Sequence, residues 1–262
     1  MSYETLLFDV EDRVARLTLN RPDSGNAMNA VMMRELRDVA ICCDEDPEIR
    51  AVLITGAGKM FCAGGDLGSF AGEGGALPAY LKGITNDLHG AVSRLCRMDA
   101  PVVSAVKGVA AGAGFSLACA ADMVIAAESA RFTVAYTGVG LSPDGSCSFF
   151  RPRLIGLRRT QELMLTRRIL SASEALDWNL ITRVVPSDDL DADSEKLVAQ
   201  LAAGPTRAFG SVKRLLLRSS GDHLESQMEQ EARCIADAAR SADGKEGIAA
   251  FLEKRTPDFT GE

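Results

Sequence analysis

The stretch Val102-Val-Ser-Ala-Val-Lys-Gly-Val-Ala-Ala-Gly-Ala-Gly-Phe-Ser116 decides how this chain is read. An apolar, strand-like run ends at Val106, small residues follow, and a helical pattern runs from Gly114 to Ala121. A helix opening there leaves its first N–H groups without carbonyl partners. Its dipole adds partial positive charge at the same end. Small residues at 110–114 allow another group to approach the backbone closely. The Ala113 N–H is therefore suited to a developing negative oxygen. Earlier in the chain a second apolar run, Ala51-Val-Leu-Ile-Thr55, leads into Gly56-Ala-Gly-Lys-Met-Phe-Cys-Ala-Gly-Gly-Asp66. If the Gly65 N–H joins that of Ala113 on one carbonyl oxygen, the pair makes an oxyanion hole. For either stretch alone, tight packing of a glycine turn or a buried helix against a sheet explains the small residues equally well.

Outward from these stretches the pattern is α/β. Leu6–Val10 and Val14–Leu19 read as a hairpin. A helix is expected over 30–43, with Asn29 as its cap and Met32, Leu36, Val39 and Cys43 on one face. Met123–Ala126 repeats the buried-strand pattern. Residues 69–78 are rich in Gly, Ala and Glu and read as a mobile loop. Leu81, Ile84, Leu88, Val92 and Leu95 place a helix over about 78–98. Short helical segments are expected at 162–165 and 172–179, and a solvated acidic loop at 188–193. Gly204-Pro205 is the clearest punctuation, and the pattern beyond it is almost wholly helical. The expected division is a core over 1–203 and a helical region over 204–262.

Composition narrows the function. The chain has 262 residues, 47% hydrophobic and 25% charged, as in ordinary globular proteins. No run approaches the roughly 18 apolar residues of a membrane span. The formal charge of −7 argues against nucleic-acid or anionic-membrane binding. The seven cysteines are scattered with no CxxC pair, and there are only two histidines, His89 and His223. A reduced, cytoplasmic protein without a metal site is expected. The N-terminus lacks a basic stretch followed by an apolar one, so secretion is not expected. Gly56-Ala-Gly58 does not extend to a dinucleotide fingerprint, because Phe61 stands at the third glycine position. Gly114-Phe-Ser-Leu-Ala118 lacks the second glycine of a nucleophile elbow.

Phe61-Cys-Ala-Gly-Gly-Asp-Leu67, then Pro101 through Gly114, then Ala121-Asp122, resembles the enoyl-CoA hydratase/isomerase (crotonase) superfamily. The likeness continues through Asn20-Arg-Pro22 with Asn26, Ser129–Phe132, Val139–Pro143, Gly156–Arg159, Ala175–Leu180 and Phe251–Lys254. It covers nearly the whole chain. It implies a crotonase-like ββα spiral core, a helical C-terminal trimerisation region, and a homotrimer or hexamer. The implied ligand is a coenzyme A thioester, with coenzyme A part of the substrate and no separate cofactor. Gly65 and Ala113 fall on the superfamily's two oxyanion-hole positions, the second usually glycine. The resemblance implies thioester-binding positions at Arg21, Ala27, Ala63, Gly65, Asp66, Leu67, Phe251 and Lys254. Ala63 would meet the adenine. Arg21 or Lys254 would meet the phosphates, Lys254 across a subunit boundary.

The reaction is less legible. The two glutamates of typical hydratases fall on Ser116 and Tyr136, and neither side chain is an effective general base near neutral pH. One carboxylate remains in the right segment, Asp144, where isomerases of the superfamily often carry aspartate. Beside an apolar acyl chain its charge would be poorly solvated, which strengthens it as a base toward carbon. The favoured expectation is a double-bond shift, with Asp144 moving a proton from C2 to C4. Pro143-Asp-Gly145 is also a plain turn sequence. Hydration by another route and a non-catalytic acyl-CoA-binding relative stay open. A dehalogenase acting on halobenzoyl-CoA also stays open, in which Asp144 attacks, His89 assists and Tyr136 stands for a tryptophan.

Overall fold

The computed structural model describes residues 3–262. Strands β1 (Leu6–Glu11) and β2 (Val14–Leu19) form the expected hairpin. Asp12 and Arg13 between them both have positive φ, the geometry that matches the twist of a two-residue connection. Helix α1 (Ala30–Glu45) follows, and the Asn29 side chain accepts from the Met32 N–H at 2.9 Å. Strand β3 (Ala51–Gly56) then lies parallel to β2.

The stretch 69–78, expected as a mobile loop, instead holds the end of a short helix, α2 (Leu67–Ala71), and a 3-10 turn at Gly74–Ala76. Asp66 makes this helix by accepting from the Ser69 N–H at 3.1 Å. Helix α3 (Leu77–Arg97) buries Ile84, Leu88, Ala91, Val92 and Leu95 at helical spacing, and it packs along α1. Strands β4 (Val102–Val106) and β5 (Val109–Ala111) lead into α4 (Gly112–Ala120). This helix opens two residues earlier than its apolar pattern announces. Every residue of α4 is buried.

Strands β6 (Met123–Ala127) and β7 (Arg131–Thr133) precede α5 (Cys147–Thr166). The segment expected at 162–165 is the last turn of this longer helix, which breaks at Gly156. Then come β8 (Ile169–Ser171), α6 (Ala172–Asp177), β9 (Arg183–Val185) and α7 (Leu190–Ala202). The acidic stretch 188–193 is a 3-10 turn and the first turn of α7, where carboxylates favour the helix dipole. After Gly204 the chain is helical: α8 (Thr206–Arg218), α9 (Leu224–Arg240) and α10 (Ala242–Glu253).

Six strands form one sheet in the order β1-β2-β3-β4-β6-β9, parallel except for the hairpin. The other three form a small sheet, β5-β7-β8. Two strands and a helix recur as β1-β2-α1, β4-β5-α4 and β6-β7-α5. Strand β3 is apolar and buried from Ala51 to Ile54 because both sheet faces are covered there. Val52 and Ile54 join the core under α1 and α3, while Ala51 and Leu53 face the core that includes Leu190, Val198 and Leu201 of α7. Among the described residues no helix is long and apolar enough to cross a membrane.

Candidate active site

The loop after β3 is stitched to the rest of the fold by its backbone. The Cys62 N–H donates to Val109 O and the Ala111 N–H to Cys62 O, at 3.1 and 2.8 Å. On the other edge the Met28 N–H donates to Gly64 O at 2.7 Å and the Asp66 N–H to Met28 O at 3.0 Å. Asn26, fully buried, ties the turn below. Its amide donates to the carbonyls of Ala57, Met60 and Phe61, and its Oδ1 accepts from the Arg21 N–H. The sequence carried Asn26 only as part of the family pattern, without this clamp.

Helix α4 presses on the loop at Gly114. A Cβ there would stand 2.4 Å from the Cys62 Cβ and 2.8 Å from its carbonyl oxygen, so only glycine fits. Cys62 itself is inert, since burial pushes its thiol up to about 12. Ala113, in the first turn of α4, and Gly65, in the loop, line one cavity of about 270 Å³. Leu67 and Phe70 of α2, Leu81 and Ile84 of α3, and Val139 and Leu141 give it apolar walls. Asp144 is the one carboxylate among its lining residues.

Tyr136 is brought to Asp144 by a tight turn at the end of β7. Ala135 has φ 57° and ψ −31°, and the Tyr136 N–H donates back to Val134 O at 2.7 Å. The Tyr136 hydroxyl donates to Asp144 Oδ1 at 2.6 Å and lies 3.3 Å from Ser116 Oγ. Burial, then the neighbouring Asp144 charge, raises the Tyr136 phenol well above its ordinary value, so it stays a donor. Ser116 is buried and donates to the carbonyls of Gly112 and Asp144. It is a structural hydroxyl on the wall behind Asp144.

The structure gathers Ala63, Gly65, Leu67, Ala113, Tyr136 and Asp144 on this cavity. Arg21 is engaged elsewhere: it donates to Asp66 at 2.8 Å and to Ala27 O. Burial opposes the Asp66 charge, but Arg21 and the Ser69 N–H outweigh it and hold this carboxyl below its ordinary value. Phe251 is 83% exposed on α10 and Lys254 caps that helix; neither lines the cavity of its own chain. His89 does not line it either. It stands in a groove on the far side of the Asp144 loop, where its Nε2 accepts from the Gly145 N–H at 3.2 Å. That bond depends on turn geometry, which no residue pattern announces.

The enoyl-CoA hydratase/isomerase family model matches residues 9–262. The chain belongs to the enoyl-CoA hydratase/isomerase family. It is 40% identical to the Rhodobacter capsulatus protein named "Probable enoyl-CoA hydratase", across 100% of both chains. It is 39% identical to the 1,2-epoxyphenylacetyl-CoA isomerase of Escherichia coli, across 99% of both. Among solved structures it resembles an enoyl-CoA hydratase from Polaromonas sp. JS666, with TM-score 0.92, 34% identity, and 97% and 99% of the two chains covered. The α/β core with C-terminal helices is thus the crotonase fold, and the family acts on coenzyme A thioesters.

Proposed function

We propose that this enzyme is an isomerase of enoyl-CoA thioesters that uses Asp144 as its base. One observation carries the reading. Asp144 is the lone carboxylate lining the cavity shared by Gly65 and Ala113, and the Tyr136 phenol holds one of its oxygens. The thioester carbonyl rests on the Gly65 and Ala113 N–H groups, which lowers the cost of forming an enolate. The free oxygen of Asp144 takes a C2 proton from a 3-enoyl-CoA. The electron pair moves to the carbonyl oxygen as a dienolate, and the carboxyl returns the proton at C4. The product is a 2-enoyl-CoA. Alanine at 113 serves as well as glycine because the donor is the backbone.

Hydration by paired glutamates has no support here. Ser116 spends its proton on two carbonyls, and Tyr136 holds its own too tightly to act as a base near neutral pH. The halobenzoyl reading loses its histidine, since His89 lies outside the cavity. A second substrate class fits the same base: a ring-derived thioester rearranged through its enolate. The likeness to the epoxyphenylacetyl-CoA isomerase favours it.

The enzyme is proposed to work in the cytoplasm as a trimer or a dimer of trimers, with coenzyme A only as part of its substrate. The test offers the protein 3-enoyl-CoA and 2-enoyl-CoA and follows bond shift and water addition. Asp144→Asn is expected to slow the bond shift about 10²–10⁴-fold while thioester binding persists. Fast water addition that survives in the mutant overturns the choice of reaction and base.

A further inference from the structure

The residue after Asp144 has a buried N–H that needs an acceptor. Gly145 and Ser146 both have positive φ, 58° and 72°, and the Cys147 N–H closes the turn onto Asp144 O at 3.1 Å. This is a primed turn that places a non-glycine residue in the left-handed region. Such a conformation is held by its surroundings. Three outside groups hold it: Tyr136 on the Asp144 carboxylate, Ser116 on the Asp144 carbonyl, and His89 on the Gly145 N–H. Gly145 is buried, so losing its acceptor leaves an unpaired donor.

A neutral imidazole offers one lone-pair nitrogen, whereas a protonated one offers only donors. The bond from Gly145 therefore exists only while His89 is neutral. On protonation two N–H groups face each other at the same point. The groove that holds His89 is also lined by Ser93, Cys96 and Arg97 of α3, Ser146 and Phe149 of the Asp144 loop and α5, and Arg218 of α8. Arg153 of α5 stacks on Phe149, and Arg37 of α1 is paired with Asp87. Asp144 is adjacent in the chain, but its carboxylate is turned to Tyr136 on the cavity side.

We propose that neutral His89 is a positioning residue that fixes the Asp144 turn from behind, through the Gly145 N–H, and that protonation of His89 releases the turn. The proposal rests on Asp144 being the base. It makes the rate depend on two protons, one on the carboxylate and one on an imidazole that never meets substrate.

The test measures kcat and KM for a 3-enoyl-CoA across the acid range in wild type, His89→Ala and His89→Gln. Wild type should show two acid losses in kcat, a partial one of about tenfold when the His89 bond is lost and a complete one when the base is protonated. His89→Ala should lie about tenfold below neutral-pH wild type in kcat, with KM little changed and the partial acid loss gone, because the base is misplaced rather than removed. The amide oxygen of His89→Gln replaces the lone pair without titrating. It should restore most of the kcat and show only the complete acid loss. Amide exchange at Gly145 should quicken in His89→Ala and, relative to His89→Gln, in wild type at low pH. If His89→Ala fails to fold, the acid profile of His89→Gln decides. A partial acid loss that persists in His89→Gln, or a wild-type profile in His89→Ala, overturns the latch. Full activity in Asp144→Asn instead overturns the base on which it rests, whatever the His89 variants do.

Discussion

In the proposed reaction the two carboxylate oxygens of Asp144 have different tasks. Oδ1 is occupied by the Tyr136 hydroxyl at 2.6 Å, which leaves the other oxygen for a carbon acid in the cavity. A hydrogen bond to a charged group contributes about 1.5–3 kcal/mol. Tyr136→Phe is therefore expected to misalign the base and lower kcat by about tenfold. The same substitution has a signature in stability. The folded chain holds the Tyr136 proton more tightly than the unfolded chain does, first through burial and then through the Asp144 charge. Stability from this group is complete below the ordinary tyrosine value, about 10, and falls as pH rises past it. Thermal melts from pH 8 to 11 should show wild type losing more stability than Tyr136→Phe; parallel curves would contradict the assignment. The place of Asp144 on the cavity was legible through the family resemblance, which singled out the one carboxylate of its segment. Its partner's task was not, because the reach of Tyr136 depends on the backbone reversal at Ala135.

Among the elements, the contact between α4 and the loop after β3 sets the geometry of the two N–H groups. The glycine pattern announced both stretches, since close backbone approach excludes side chains. The helix start escaped the pattern, because Gly112 and Ala113 lack the bulk that marks a buried face. The short helix α2 escaped for a related reason: its one cue is Asp66 as a cap, set among glycines that argue for a loop. The contact predicts a specific lesion. In Gly114→Ala the new methyl meets backbone as well as side-chain atoms of Cys62, and backbone stitched on both edges cannot yield. The fold should lose at least about 2 kcal/mol. Any shift that relieves the clash moves Ala113 away from Gly65, so kcat/KM should fall by about a hundredfold in the protein that still folds. A melting curve and one kinetic series check both. Wild-type values in each would mean that the loop is not pressed on the helix.

Across the whole molecule, the chain leaves its outer helices poorly covered. Leu216 of α8, Ile235 of α9, and Phe251 and Leu252 of α10 are between 68% and 83% exposed. We read these apolar side chains as a surface that meets another protein. The sequence carried this only as a family expectation, because helical periodicity separates faces without saying what covers them. Phe251 and Lys254 sharpen the argument. Both were expected to bind the thioester, and both stand off the cavity of their own chain. The two facts are reconciled if α10 serves a neighbouring protomer, in which case assembly and substrate binding share residues. Sedimentation should then give three or six times the 27.9 kDa of the chain. Phe251→Asp, which places a charge on the exposed apolar face, should shift the mass toward the single protomer and raise KM for the thioester. Lys254→Ala should raise KM while leaving the mass unchanged, since a solvated cation holds little of the interface together. A single-protomer mass for the wild type, or an unmoved KM in both variants, would return these residues to the solvent.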